Sequence, residues 1–258
     1  VVCRRQRQMC IRDRFNGSEE ELKQTKITQP AIFLHSIAEL IVLQETHLPN
    51  AVAGHSLGEF SSLVANNTIS FEDGLKLVFL RAKAMQKSCE NSNGTMAAIL
   101  GLDDKIIKET CESFDGNVTA ANFNCPGQVV ISGELNAVKM ICEKFNEIGA
   151  RRSILLPVGG AFHSNLMNDA KSELKEAIHK TKFNNPTCPI YQNFTAQKTT
   201  SIDIIKQNLI NQLTAPVLWT QTINNMVNDG YLDYTEVGPG KVLPVSYTHL
   251  TLPTTYHV

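Results

Sequence analysis

Ala51-Val52-Ala53-Gly54-His55-Ser56-Leu57-Gly58-Glu59-Phe60 is the stretch on which the fold turns. Residues 51–55 form a short apolar run suited to a buried strand, and Leu57-Gly58-Glu59-Phe60 opens a helix. Between them lies Gly54-His55-Ser56-Leu57-Gly58, a G-x-S-x-G motif in the strand-to-helix context such a motif requires. A turn this tight strains the serine backbone and exposes its Oγ, and the flanking glycines are expected to leave room for it. The helix start behind Ser56 offers free N–H groups and the positive end of the dipole. The Leu57 N–H is therefore the candidate oxyanion donor.

Working outward, Gln29-Pro30-Ala31 is expected to open a helix that runs to about Gln44, with Pro30 in its first turn, where a missing N–H costs nothing. Pro49 breaks it. Downstream, Ser70 and Asp73 form a capping box for a helix from about Phe71 to Ser88. Leu75, Phe79, Ala82 and Met85 share one side of that helix, and Arg81 lies one turn before Met85.

The rhythm changes over 94–157. Met96–Leu100 reads as a strand, Asp103–Ser113 as a helix, and Val118–Phe123 and Val129–Ser132 as strands divided by a turn at Pro126-Gly127. Glu134–Ile148 then reads as a helix and Arg152–Pro157 as a strand. This βαββαβ order predicts an inserted ferredoxin-like subdomain. After it come a helix from about Asn165 to Lys180, a strand near Pro189–Asn193, helices near 202–213 and 217–228, and a strand near 231–237. Strands alternating with helices on both sides of the insert predict a mostly parallel sheet. The fold class is thus α/β, with a catalytic core from 15–93 and 158–244.

The chain has 258 residues, 42% of them hydrophobic and 19% charged, which suits one large α/β unit carrying a small subdomain. No uninterrupted apolar segment of membrane-spanning length is expected, nor is a secretory signal. The seven cysteines are scattered, without C-x-x-C or metal-ligand spacing, and read as reduced thiols of a cytoplasmic protein. Residues 15–244 hold 24 acidic and 19 basic side chains, so the body has no general attraction for nucleic acid, and no membrane partner is expected.

Both ends read unlike the body. Residues 1–14 carry five arginines, and residues 245–258 carry no Lys, Arg, Asp or Glu. The strings QRQMCIRDR and VSYTHLTLPT resemble translated sequencing-adapter read-through, so both tails are expected to be non-native. The alternatives are ordinary disordered termini or, less in keeping with Asp13 and the scarcity of serine, a transit peptide.

A serine hydroxyl needs a base. Of the seven histidines, His249 and His257 lie in the second tail, His35 lies within a helix, and His47 and His179 sit at polar helix ends. His55 should point away from its neighbour Ser56. His163, on the loop Val158-Gly159-Gly160-Ala161-Phe162 leaving a strand, remains as the candidate base.

Taken together, G-H-S-L-G-E-F at 54–60, L-R-A-K-A-M-Q at 80–86, N-F-N-C-P-G-Q-V-V-I-S-G at 122–133, G-G-A-F-H-S at 159–164 and E-V-G-P-G-K-V-L at 236–243 resemble the malonyl-CoA:acyl carrier protein transacylases of type II fatty acid synthesis. The resemblance covers about 15–244. It implies an α/β-hydrolase-like core with a ferredoxin-like insert, a malonyl-Ser56 ester, and His163 as base. The family orients that histidine with a main-chain carbonyl from the segment matching Asn211-Gln212-Leu213, which gives Gln212 a supporting role. Arg81 matches the arginine that grips the malonyl carboxylate, a task suited to a planar guanidinium; the alternative for an arginine on a helix is a surface ion pair. Met85 and Gln29 fall beside the same pocket. Phe162 matches the position that separates malonyl from methylmalonyl use. Malonyl-CoA and acyl carrier protein are the implied substrate and partner, with no metal or bound organic cofactor.

The resemblance also marks a departure. The family's first strand and its G-Q-G motif have no counterpart before Gln29, and the family's Gly-Leu pair and helix do not follow Leu243. This implies a gene truncated at both ends. The 258-residue chain is accordingly expected to be a weakened catalyst, since one lost oxyanion donor costs about 10²–10³ in rate. Three other readings stay open: a serine esterase or thioesterase, which would need an acid near His163 and no Arg81; a non-catalytic carrier-binding fragment; and an acyltransferase region cut from a multidomain synthase.

Overall fold

The elbow hangs from a very short strand. In the computed structural model, which describes residues 24–44 and 48–240, β1 is Val52–Ala53, and α2 (Gly58–Ala65) follows the elbow. Before them lies α1 (Thr25–Gln44), and after them α3 (Phe71–Asn91). The Ser70 hydroxyl caps α3 by accepting a hydrogen bond from the Asp73 N–H at 3.1 Å, as the sequence expects.

Helix α1 departs from the reading in two ways. It begins at Thr25, so Pro30 lies inside it rather than in its first turn. The earlier turn is held by the Ile27 and Thr28 N–H groups donating to the Gln24 carbonyl at 2.8 and 2.9 Å. Over Thr25–Leu43 the helix is also long and apolar enough to cross a membrane by length and composition, contrary to the expectation that no segment is. In the fold it is a packing helix: Phe33 and Ile37 are buried, and the Phe33 ring stacks on Phe71 of α3 at 6.1 Å.

The second group of strands follows the expected order: β2 (Gly94–Leu100), α4 (Asp104–Ser113), β3 (Val118–Cys125), β4 (Gln128–Glu134), α5 (Leu135–Glu147) and β5 (Arg152–Leu155). The strands form one antiparallel sheet in the order β3-β4-β2-β5. Side chains alternate between the faces of a strand. Ala97, Ile99, Val129 and Ile131 meet Ile107, Ile141 and Phe145 of the helices on one face. On the other face Met96, Ala121 and Val130 pack with Leu156, Val158 and Phe162, which brings the sheet against the loop that carries His163.

The chain then returns through a 3-10 turn (Asn165–Met167), α6 (Asn168–Lys180), β6 (Ile190–Tyr191), β7 (Lys198–Thr199), α7 (Ile202–Asn211), a second 3-10 turn (Gln212–Thr214) and α8 (Trp219–Asn228). β1 pairs parallel with β6, and β6 antiparallel with β7. Where a mostly parallel sheet was expected, the described residues form a small mixed one. Its strands are two residues long, and residues 231–237, read as a strand, form none. That segment is tied instead by single bonds, such as the Tyr234 hydroxyl donating to the Tyr231 carbonyl at 2.8 Å, with Tyr231 and Tyr234 packed against Trp219 and Ile223. The antiparallel sheet is tied to the segment before α8 by an isolated parallel bridge between Asn122 and Val217: the Phe123 N–H donates to the Val217 carbonyl at 2.9 Å, and the Val217 N–H to the Ala121 carbonyl at 2.8 Å. The tails at 1–14 and 245–258 lie outside the described residues.

Candidate active site

Ser56 occupies the left-handed region with φ 50°, the strained turn expected of the elbow. A Cβ at Gly54 would lie 2.0 Å from the Gly58 carbonyl carbon, so this glycine is required by space. Gly58 is not, because a Cβ there would meet nothing within 4 Å. Only the first flanking glycine makes the room that both were expected to make, since Gly58 already faces outward at the start of α2. The Leu57 N–H has no hydrogen-bond acceptor among the described residues, and the next three amides turn back into the elbow, Gly58 to His55 at 2.9 Å, Glu59 to Ser56 at 3.3 Å and Phe60 to Leu57 at 3.0 Å.

Two long-range contacts converge on this hydroxyl. The His163 Nε2 lies 2.8 Å from the Ser56 Oγ, and the Arg81 Nη2 donates to the same oxygen at 2.9 Å. The far side of the imidazole, Nδ1, is 2.9 Å from the Gln212 carbonyl. A carbonyl can only accept, so Nδ1 carries the proton and Nε2 is left free to accept from Ser56. His163 is itself left-handed, with φ 57°. The Ser164 hydroxyl just beyond accepts from the Leu166 N–H and donates to the Ala161 carbonyl at 2.7 Å, which fixes the loop as α6 begins. Burial, reinforced by the Arg81 charge, pulls the His163 pKa down to about 3, so the ring is neutral at physiological pH.

Arg81 is 1% exposed. Its Nη1 donates to the Gln29 Oε1 at 2.5 Å and its Nη2 to the Gln212 Oε1 at 3.3 Å, and the guanidinium lies 5.7 Å from the Phe60 ring centre. Among the described residues no carboxylate comes within the 4.0 Å of an ion pair with it. Gln29 also reaches the Met85 sulfur, 3.4 Å from its Nε2. Phe162 is half-buried and joins the core under Ser56 to the far face of the antiparallel sheet. All the residues singled out in the sequence thus fall in one region. His55 behaves as expected, turned aside to Asn124 Oδ1 at 2.9 Å and edge-on to Trp219. His35 pairs with Glu39 on α1, and His47, His249 and His257 lie outside the described residues.

Two residues of the site were not singled out. Glu59 and Asn193 are both fully buried. The Asn193 side chain accepts from the Ser56 N–H at 2.6 Å and donates to the Gly54 carbonyl at 2.7 Å, while the Asn193 N–H donates to the Glu59 carboxylate. Burial raises the Glu59 pKa to about 8, opposed chiefly by that N–H and by the Arg81 charge. Arg81 is lowered to about 10 by its own burial, opposed by Glu59. Glu59 lay within the quoted 54–60 motif, but Asn193 carries no sequence signal beyond following a strand.

This arrangement can make a serine ester: a hydroxyl, a neutral base held in one tautomer, an unused N–H beside it, and a buried cation awaiting an anion. Among the described residues no group of three or more His, Cys, Asp and Glu side chains is placed to hold a metal ion.

The family model described as "Acyl transferase domain" matches residues 6–247. The Malonyl CoA-acyl carrier protein transacylase of Bacillus subtilis (strain 168) is 41% identical over 233 residues, covering 89% of this chain and 74% of the relative. The crystal structure of an acyl-carrier-protein S-malonyltransferase from Burkholderia pseudomallei 1710b superposes with a TM-score of 0.91 at 36% identity, over 96% of this chain and 82% of that one. A structure of a type II PKS acyl-carrier protein in complex with its malonyl-transacylase matches with a TM-score of 0.89 at 36% identity, over 93% of this chain and 79% of that one.

Proposed function

The chain belongs to the malonyl-CoA:acyl carrier protein transacylase family, and we propose that it carries out that family's reaction through Ser56, His163 and Arg81. It is an acyl-carrier-protein S-malonyltransferase of fatty acid biosynthesis, with malonyl-CoA as substrate and acyl carrier protein as partner. The observation that carries the residue roles is the buried Arg81 guanidinium, 2.9 Å from the Ser56 hydroxyl and, among the described residues, with no carboxylate in ion-pair contact.

In this reading the malonyl carboxylate takes the place that Arg81 now gives to Ser56 and Gln29, forming two charge-assisted hydrogen bonds. Released from Arg81, the Ser56 hydroxyl donates to the His163 Nε2 and attacks the thioester carbonyl, and His163 accepts its proton. The Leu57 N–H stabilises the oxyanion. Collapse of the tetrahedral intermediate expels the coenzyme A thiolate, which takes the proton back from His163. In the second half the pantetheine thiol of the carrier gives its proton to His163, attacks the malonyl-Ser56 ester and returns the serine hydroxyl. The Gln212 carbonyl holds the imidazole in its working tautomer throughout. Its taking the place of an acid supports the transferase reading over the esterase alternative.

The βαββαβ order and the strand order β3-β4-β2-β5 support reading 94–157 as a ferredoxin-like subdomain set into an α/β-hydrolase-like core. The five described cysteines are free thiols, which is in keeping with a cytoplasmic site of action. The test is transfer itself. Incubated with malonyl-CoA and a holo acyl carrier protein, the chain should yield malonylated carrier. Free malonate with no acylated carrier would replace this reading with a hydrolase.

A further inference from the structure

The ladder between β1 and β6 stops at Ala53, immediately before the elbow. Val52 pairs with Ile190 and Ala53 with Tyr191, and from Gly54 onward the backbone turns away to place Ser56 at φ 50°. The two main-chain groups that the turn removes from the sheet, the Gly54 carbonyl and the Ser56 N–H, lie beneath the nucleophile, the first bonded in a buried contact and the second in a part-buried one. A single side chain satisfies both: the Asn193 Nδ2 donates to the Gly54 carbonyl at 2.7 Å, and the Asn193 Oδ1 accepts from the Ser56 N–H at 2.6 Å. A primary amide offers a donor and an acceptor at this spacing without having to hold a proton.

The residue that carries this amide is itself held, through its main chain on two sides and its side chain on a third. The Asn193 N–H donates to the Glu59 carboxylate, the Asn193 carbonyl accepts from the Leu218 N–H at 3.0 Å, and the Gln212 Nε2 stands 3.5 Å from the Asn193 Oδ1 while donating to the Ser56 carbonyl at 2.9 Å. Asn193, Glu59 and Gln212 are all fully buried, so water cannot stand in for a lost partner.

We infer that Asn193 is a positioning residue of the transfer reaction: its amide clamps Gly54 to Ser56 and holds the serine in the left-handed conformation that aims Oγ at His163, with Glu59 as the anchor of the clamp. This rests on the reading of Ser56 as nucleophile. Neither residue touches the substrate in this account. Each acts through the Ser56 backbone, so the malonyl carboxylate should still find Arg81 when the clamp is cut.

The test compares Asn193→Ala with Asn208→Ala in single-turnover acylation by malonyl-CoA, followed by intact-protein mass and by thermal melting. Asn208 is equally a buried amide of this layer, donating to the Gln192 Oε1 at 3.0 Å, but it does not touch the elbow. A misplacement of about 1 Å costs on the order of 10²-fold in rate. Asn193→Ala should therefore acylate about 10- to 100-fold more slowly than the unsubstituted chain, with its Kd for malonyl-CoA unchanged within about twofold. Asn208→Ala should lower Tm but keep the rate. Acylation by Asn193→Ala within about threefold of the unsubstituted chain, or an equal loss in both variants, overturns the inference. Should Asn193→Ala not fold, Asn193→Ser keeps one polar group but is too short to hold both the Gly54 carbonyl and the Ser56 N–H. It should show the same slowing, and an unchanged rate overturns the inference. Failure of the unsubstituted chain to acylate at all would instead remove the nucleophile reading on which this rests.

Discussion

Ser56 and His163, 107 residues apart in sequence, both sit in left-handed backbone, at φ 50° and 57°, and meet through a 2.8 Å contact between Oγ and Nε2. That conformation costs a side-chain-bearing residue roughly 1–2 kcal/mol, and holding two such residues in register falls to the buried bonds around them. Burial and the Arg81 charge together hold the imidazole pKa down to about 3. When a malonyl carboxylate pairs with Arg81, the second of these causes is cancelled and the pKa rises. The acid limb of kcat/KM, which reports free enzyme, should thus lie well below the ordinary histidine value of 6.5. The acid limb of kcat, where it reports the substrate complex, should lie above that of kcat/KM. pH–rate profiles of malonyl transfer check this; coincident limbs near 6.5 would contradict the coupling.

Arg81→Ala should abolish the preference for a carboxylate-bearing acyl group. Two charge-assisted hydrogen bonds of roughly 1.5–3 kcal/mol each correspond to a fall in kcat/KM for malonyl-CoA of about 10²–10³-fold or more. Acetyl-CoA, with no carboxylate to lose, should be used no worse than before. The measurement is the ratio of the two kcat/KM values, and an unchanged ratio would remove Arg81 from substrate recognition.

Phe162→Ser should relax the pocket toward a branched acyl group. The ring lies between the core below Ser56 and the Met96, Ala121 and Val130 face of the antiparallel sheet, where an α-methyl would be crowded. Crowding of this size decides about 1–3 kcal/mol. The methylmalonyl-to-malonyl ratio of kcat/KM should therefore rise by about tenfold or more, measured by competition between the two thioesters. No gain would count against this role.

Glu59→Gln should change how stability depends on pH. The buried carboxyl has a pKa of about 8, against 4.5 when unperturbed. Between those values the folded chain holds a proton that the unfolded chain does not, so the protein loses stability as pH rises through this window. A glutamine keeps an oxygen for the Asn193 N–H and does not titrate. The Tm of the unsubstituted chain should fall relative to that of Glu59→Gln between pH 4.5 and 8; parallel Tm profiles would refute the assignment.

Local signals are what the sequence makes legible. Ser56 sits in a five-residue motif between a strand and a helix, and 94–157 alternates strongly enough to fix six elements in order. Longer-range pairing was less legible. The strands around the elbow are two residues long, too short for a period to register, and 231–237 mixes Tyr231, Leu232, Tyr234 and Val237 with Asp233, Thr235 and Glu236 and packs by side chains rather than by a ladder. His163 could be reached by elimination, and the Gln212 carbonyl through resemblance alone, because a main-chain acceptor has no residue identity. Asn193 escaped because its role is to satisfy two backbone groups of a turn 137 and 139 residues away, which nothing near it in the chain announces. Glu59 was quoted within its motif but not singled out, since an acid in the first turn of a helix is ordinarily a solvated one.

The most direct test is whether malonyl becomes attached to Ser56. Brief exposure of the chain to malonyl-CoA, followed by intact mass and peptide mapping, should show one malonyl group per chain, on the peptide bearing Ser56. Ser56→Ala should show none, and His163→Ala should be slowed by about 10²–10⁴-fold. Malonyl on any other residue, or undiminished labelling after Ser56→Ala, would contradict the account.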